Sequence, residues 1–302
     1  MCLPMKEIIS IKNVTKEYNG IKVVDNVTFS IYKNEIIGLV GANGAGKSTL
    51  ISMIVGLKKP NKGEIRIADM KVPNKKVSEL IGVMLQEVSM PEKTKVVELL
   101  EMVGVFYKRT NNIDFVLKAS GLEDVRNSYV DKLSGGKQRR LQFALAIIGD
   151  PDILFLDEPT VGLDFQSKKL FWDEINKMVE RGTTIILTSH DLKEIEDIAN
   201  RIIVIDKGRI LEDDTITQLR NKYEAHTISI DLPLVEANLD DLKNQSLFSC
   251  SLKNNTVIIK TKNMNETINY LLSLDLNYND LNINQSALEN IMSEIISKKE
   301  AK

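Results

Sequence analysis

Short β-branched runs alternate with longer stretches of helical spacing over the first two thirds of the chain. The runs are Ile36 to Val40, Ile153 to Leu156, Thr184 to Leu187 and Arg201 to Ile205. That rhythm predicts an α/β core on a largely parallel sheet. Between about Gln86 and Ser134 the strands stop. Apolar positions there fall at Val96, Leu99, Leu100 and Val103, the i, i+3, i+4, i+7 spacing of one helix face. This stretch reads as a helical insertion in the α/β core. After Ala225 the pattern changes again: Thr227 to Leu232 alternates strictly, as a half-buried strand does. Runs Phe248 to Leu252 and Val257 to Thr261 flank Lys253-Asn254-Asn255, a hairpin turn, since Asn tolerates positive φ. Ser286-Ala287-Leu288-Glu289 has capping-box spacing and opens a final helix.

Composition sharpens the division. The chain has 302 residues and 16 glycines, all at or before Gly208, and the Asn-rich stretch beyond Ala225 has a single proline, Pro233. The expected organisation is a large domain over 1–222, with a helical subdomain over about 87–140, and a small α+β domain over 223–302. The net charge of −2, from 40 basic against 42 acidic residues, implies no bulk attraction to nucleic acid or anionic lipid. No apolar run approaches the roughly 18 residues of a membrane helix. Cys2 and Cys250 make no disulfide framework, and His190 and His226 make no zinc cluster, so a reducing, cytoplasmic compartment fits. The opening MCLPMKEIIS carries no secretion signal by its pattern.

The chemistry begins at Gly41-Ala42-Asn43-Gly44-Ala45-Gly46-Lys47-Ser48-Thr49, which satisfies G-x-x-x-x-G-K-[ST] directly after the strand Ile36 to Val40. Its glycines let backbone N–H groups turn inward on a β-phosphate, and the helix that follows points its positive end there. Lys47 reaches the β/γ oxygens, and the Ser48 hydroxyl coordinates Mg²⁺. The magnesium must also be held from the far side and a water activated. Ile153-Leu154-Phe155-Leu156-Asp157-Glu158 supplies both: four apolar residues make a strand buried on both faces, and two carboxylates emerge at its C-terminal end. Asp157 is expected to orient Mg²⁺ and Glu158 to act as general base.

Leu133-Ser134-Gly135-Gly136, some 20 residues before the acidic strand, resembles the signature of the ATP-binding cassette (ABC) ATPases. The resemblance covers about residues 6 to 222. It implies a P-loop NTPase core with a mostly parallel sheet, an antiparallel N-terminal β part and the helical insertion. It also implies roles. Tyr18 stacks on adenine, Gln86 joins Mg²⁺ to the helical subdomain, Gly162-Leu163-Asp164 is the loop that crosses to a second subunit, and His190 touches the γ-phosphate. Asp164 also suits the start of the helix that follows it. Lys137 departs from the family, whose usual residue there is Gln, which comes next here as Gln138; the added charge bears on ATP-dependent closure.

In such ATPases the signature of one subunit closes on the P-loop of another. One P-loop and one signature per chain therefore imply an isologous homodimer holding two ATP molecules. The C-terminal extension resembles the accessory domain of exporter ATPases in the drug and antibiotic-resistance branch, whose integral-membrane permease is a separate chain. Its tail departs from that pattern at Ala287 and Asn290. The expected protein is an exporter ATPase, peripheral on the inner face of the cell membrane, with no nucleic acid partner. An importer ATPase and a soluble mechanochemical ATPase are the alternatives.

Overall fold

The computed structural model describes residues 6–86, 90–223, 226–231, 248–253, 256–261, 263–274, 280–285 and 288–300. The chain divides into two compact units, Met1–Asp213 and Asp214–Lys302. The division falls nine residues before the boundary suggested by composition.

The first unit opens with two long strands, β1 (Glu7–Tyr18) and β2 (Ile21–Tyr32), paired antiparallel around Asn19-Gly20. Both turn residues have positive φ, 50° and 81°, as a two-residue turn matched to strand twist requires. β4 (Lys62–Ile67) pairs antiparallel with β1, and the short β5 (Met70–Lys71) completes a sheet in the order β2-β1-β4-β5. This is the antiparallel β part that the resemblance implies.

The second sheet consists of β3 (Ile36–Val40), β6 (Ile81–Met84), β7 (Ile153–Asp157), β8 (Thr184–Thr188), β9 (Arg201–Asp206) and β10 (Arg209–Thr215). Its order is β10-β9-β3-β8-β7-β6. The pairs β3·β8, β3·β9, β6·β7 and β7·β8 are parallel. Every residue of β3, β7 and β8 is buried, so these strands read as apolar runs rather than alternations. Each Ile, Leu, Val or Phe side chain among them contributes about 1.5–3 kcal/mol relative to exposure.

Parallel pairing aligns the C-terminal ends of β3, β7 and β8. Gly38 stands opposite Leu187, and Asp157 opposite Thr188. The turns that leave those ends therefore meet on one edge of the sheet, where open α/β sheets bind ligands.

Helix α1 (Lys47–Ile54) leaves β3, and α2 (Lys75–Ser78) precedes β6. The insertion holds α3 (Val96–Gly104), α4 (Ile113–Ser120) and α5 (Gly135–Ile147). Val96, Leu99 and Leu100 are buried on α3 as their spacing predicts, and α5 runs beyond residue 140 to pack on β6. Then α6 (Phe165–Glu180) links β7 to β8, and α7 (Leu192–Ile198) links β8 to β9.

The second unit contains α8 (Ile216–Lys222), capped by a reciprocal Thr215–Gln218 box. β11 (His226–Asp231), β12 (Phe248–Lys253), β13 (Thr256–Thr261) and β14 (Asp280–Gln285) form an antiparallel sheet ordered β12-β13-β11-β14. Counted along the chain from the β14 edge, that is a 4-1-3-2 order. α9 (Met264–Ser273) connects β13 to β14, and α10 (Leu288–Glu300) ends the described chain. Ile228, Ile230, Phe248, Val257, Ile259 and Leu271 make its core. Lys253 stands opposite Thr256 across the expected hairpin. The turn residues Asn254 and Asn255 lie outside the described residues, as do Ser286 and Ala287 of the expected capping box and Cys2.

Candidate functional site: a phosphate-binding cavity at the sheet edge

Gly41 to Gly46 wrap between β3 and α1, and the two end positions are packed too tightly for side chains. A Cβ on Gly41 would come within 2.0 Å of the Ile205 carbonyl oxygen. Gly46 caps α1 at φ 107°, and a Cβ there would meet the Val23 carbonyl at 2.5 Å. Only glycine takes that conformation at no steric cost. The N-terminus of α1 consequently opens into a cavity of about 360 Å³ lined by Asn43, Gly44, Gly46, Lys47, Ser48, Thr49, Gln86, Asp157, Glu158, His190 and Val23.

Ten of these eleven residues are expected from the sequence. Two further loop residues have other duties. Gly41 backs against Ile205, and the buried Ala45 donates its N–H to the Ala42 carbonyl at 3.1 Å.

Lys47 lies 8 % exposed, and its Nζ donates to the carbonyls of Gly41 at 2.6 Å and Ala42 at 3.1 Å. Burial pushes its pKa down, against the charges of Glu158 and Asp157, which raise it. A phosphate would give the ammonium a charged partner in place of two carbonyls.

On the far side, Asp157 Oδ1 accepts from Thr188 Oγ1 at 2.6 Å, which fixes the carboxylate's rotation. Glu158 turns out of β7 with φ 54°, and its N–H is held by the Thr188 carbonyl at 3.2 Å and by Oγ1 at 3.1 Å. Its carboxylate, on a residue 4 % exposed, accepts from the His190 backbone N–H at 3.0 Å, and His190 Nε2 stands 3.3 Å from the other oxygen. Ser48, Asp157 and Gln86 line the same cavity, and each side chain offers an oxygen donor. That suits a hard cation such as Mg²⁺, which takes few protein ligands and shares phosphate oxygens.

Tyr18 and the signature do not line this cavity. Tyr18 ends β1, 40 % exposed, with the Lys16 and Lys58 ammoniums 5.3 and 5.5 Å from its ring centroid. Ser134 occupies the N-cap of α5; it and Gly135 are exposed, and Gly136 backs onto the Gly162 carbonyl. The signature thus presents the open N-terminus of a helix to solvent. Lys137 is tied to Asp124 by a 2.6 Å ion pair within the insertion. Asp164 starts α6: its carboxylate accepts from Ser167 N–H at 2.9 Å and Oγ at 3.0 Å, bonds that hold its pKa low.

Two residues central to the geometry escaped the sequence reading. Thr188 looks like any strand threonine until parallel pairing sets it opposite Asp157. Arg139 carries a signal in retrospect. It shares a helix face with Phe143, Ala146 and Ile147, all buried, so a guanidinium stands where an apolar side chain is expected.

A P-loop, an acidic strand end and a histidine converging on one cavity define a P-loop NTPase fold. Residues 24–161 match the family model described as ABC transporter. The Nod factor export ATP-binding protein I of Rhizobium meliloti is 37 % identical over 208 residues, which span 67 % of this chain and 62 % of that protein. Its counterpart from Cupriavidus metallidurans is 35 % identical over 212 residues, 68 % of this chain and 70 % of that protein. Among solved structures, a dimeric bacterial ABC transporter cassette matches with a TM-score of 0.65 at 28 % identity, covering 69 % of this chain and 99 % of its own. A cassette in a dimeric post-hydrolysis state, bound to ADP and phosphate, matches with a TM-score of 0.64 at 27 % identity, again over 69 % and 99 %. The chain belongs to the ABC transporter family and carries its ATP-binding cassette. Among the described residues no helix is long and apolar enough to cross a membrane.

Proposed function

We propose that the chain is the ATP-hydrolysing subunit of an exporter, working as a head-to-tail homodimer on a separate membrane permease at the inner face of the cell membrane. One observation carries the reading: the cavity gathers every expected catalytic group, whereas Ser134 to Gly136 lie outside it at a helix N-terminus, with Ser134 and Gly135 exposed. A nucleotide bound at Lys47 is thus enclosed on one side only. The α5 N-terminus of a second copy supplies amides and a favourable helix dipole for the other side.

In this mechanism Lys47 moves its Nζ from the Gly41 and Ala42 carbonyls to the β/γ-phosphate oxygens, and Tyr18 stacks on the adenine. Ser48, Asp157 and Gln86 would hold Mg²⁺, which when bound would neutralise phosphate charge. Glu158 accepts the proton of the attacking water, and His190 Nε2, held beside that carboxylate, meets the γ-phosphate. Loss of the γ-phosphate removes the contacts that close the pair, so it reopens. Gln86, at the joint between core and insertion, reports the nucleotide state to the permease. The exporter assignment is supported by the relatives, which are export ATP-binding proteins. The second unit is read as the accessory domain of that branch.

Affinity purification of the tagged chain from detergent-solubilised membranes tests the assignment. A polytopic membrane protein is expected to co-purify in stoichiometric amount. Recovery of the chain with no membrane protein, or with ribosomes or DNA, would contradict it.

A further inference from the structure

Arg139 lies on α5, 7 % exposed, on a face that the apolar pattern reserves for the core. A guanidinium keeps its charge at any physiological pH, so its burial has to be met by acceptors. Five backbone carbonyls meet it. Nη1 donates to Leu85 O at 2.9 Å and Gln86 O at 3.3 Å, Nη2 donates to the carbonyls of Asp157 and Glu158, and Nε donates to Pro159 O at 3.3 Å. The side-chain amide of Gln142, one turn along α5, also accepts from Nη1.

These carbonyls belong to two segments, the exit of β6 at Gln86 and the exit of β7 at Glu158. The second is conformationally demanding. Glu158 has a left-handed φ of 54°, uncommon for a residue with a Cβ, and holds it because its N–H is tied to Thr188 and its carbonyl to Arg139.

We infer that Arg139 is a positioning residue that couples the two nucleotide sites of the dimer. The inference rests on the head-to-tail reading above. In that reading the N-terminus of α5 meets the nucleotide bound by a second copy, while Gln86 and Glu158 serve the nucleotide of their own chain. One rigid fork joins all three. When α5 shifts to take up the γ-phosphate of the second copy, the carbonyls of Gln86 and Glu158 shift with it, and the general base of the chain's own site is brought to its working position. Occupancy of one site thereby sets the competence of the other. Lysine cannot replace the fork, since a single ammonium does not span carbonyls on two strand ends.

The test is the ATP dependence of initial hydrolysis rates for the full-length wild type and Arg139→Lys, with labelled-ATP binding and thermal melting on both. The wild type is expected to show positive cooperativity, with a Hill coefficient approaching about two, the number of sites. Arg139→Lys is expected to bind ATP with near wild-type affinity and to melt cooperatively. Its kcat is expected to fall by on the order of tenfold or more, as misplacement of a catalytic group does, with the Hill coefficient dropping to one. A folded variant with the wild-type Hill coefficient overturns the coupling and leaves the dimer reading standing. A wild type that is itself non-cooperative and monomeric with ATP overturns the dimer reading, and the coupling with it.

Should Arg139→Lys fail to fold, Gln142→Ala serves instead, since the Gln142 amide oxygen is the side-chain acceptor that orients Nη1 toward the Leu85 and Gln86 carbonyls, and its loss loosens the fork at the β6 exit. A lowered Hill coefficient at unchanged ATP affinity is expected, and wild-type cooperativity would overturn the inference.

Discussion

His190 and Glu158 meet twice: the His190 backbone N–H donates to Glu158 Oε2 at 3.0 Å, and the ring Nε2 stands 3.3 Å from Oε1. The first contact orients the carboxylate whatever the side chain at 190, while the second depends on the imidazole. His190→Ala separates them. Hydrolysis is expected to slow by on the order of 10²-fold, the range for loss of a positioned proton-transfer or transition-state contact. Equilibrium ATP binding should stay near wild type, because the P-loop is untouched. Single-turnover hydrolysis alongside ATP titration reads both, and an undiminished rate would remove the imidazole from the mechanism.

Asp164 caps α6 through Ser167, and those bonds hold its carboxyl below its ordinary pKa. A carboxyl with a lowered folded pKa contributes stability that is present above its unfolded pKa and is lost as the pH falls through the folded one. Asp164→Ala is therefore expected to melt below wild type at neutral pH, with the gap closing under acid conditions beneath the ordinary carboxylate range. Asp164→Asn, which still accepts from the Ser167 N–H, should recover much of the difference at neutral pH. A melting gap that does not change with pH would show that the cap acts through something other than the ionised carboxylate.

A chain cut after Lys222 should fold and bind ATP. The cut lies beyond Asp213, where the compact units divide, and it leaves β10 whole at the edge of the sheet that carries the site. Nothing in the cavity lies beyond His190. Cooperative unfolding and ATP affinity of the 1–222 fragment are the measurements. Loss of either would make the C-terminal unit part of the core.

What was legible in advance divides along physical lines. β3, β7 and β8 announce themselves because burial on both faces demands unbroken apolar runs. The P-loop announces itself because Gly41 and Gly46 have no room for a Cβ. Glu158 follows from its place at the end of β7. Thr188 is silent in the sequence, and Arg139 shows only as a charge on an apolar helix face, because their roles arise from partners 31 and 18 to 20 residues away in the Thr188–Asp157 and Arg139–Asp157/Pro159 bonds, brought near only by strand pairing and helix packing. The nine-residue difference has the same origin: composition changes after Ala225, whereas α8 already belongs to the second unit. The charge of Lys137 is legible, but its commitment to Asp124 is not, since the pair forms across a turn of the insertion.

The central claim is that a nucleotide held at Lys47 is enclosed by a second copy's signature and hydrolysed by Glu158. Glu158→Gln tests it most directly. The glutamine oxygen still accepts from the His190 N–H, so the elbow stays in place, while the general base and one negative charge beside the γ-phosphate are lost. Size-exclusion chromatography with light scattering, run with ATP and with ADP beside a hydrolysis assay, is the measurement. The account predicts hydrolysis slowed by about 10²-fold or more, a mass of two chains with ATP and of one chain with ADP. A variant that has stopped hydrolysing yet keeps the mass of one chain at saturating ATP, or one that hydrolyses at the wild-type rate, would contradict it.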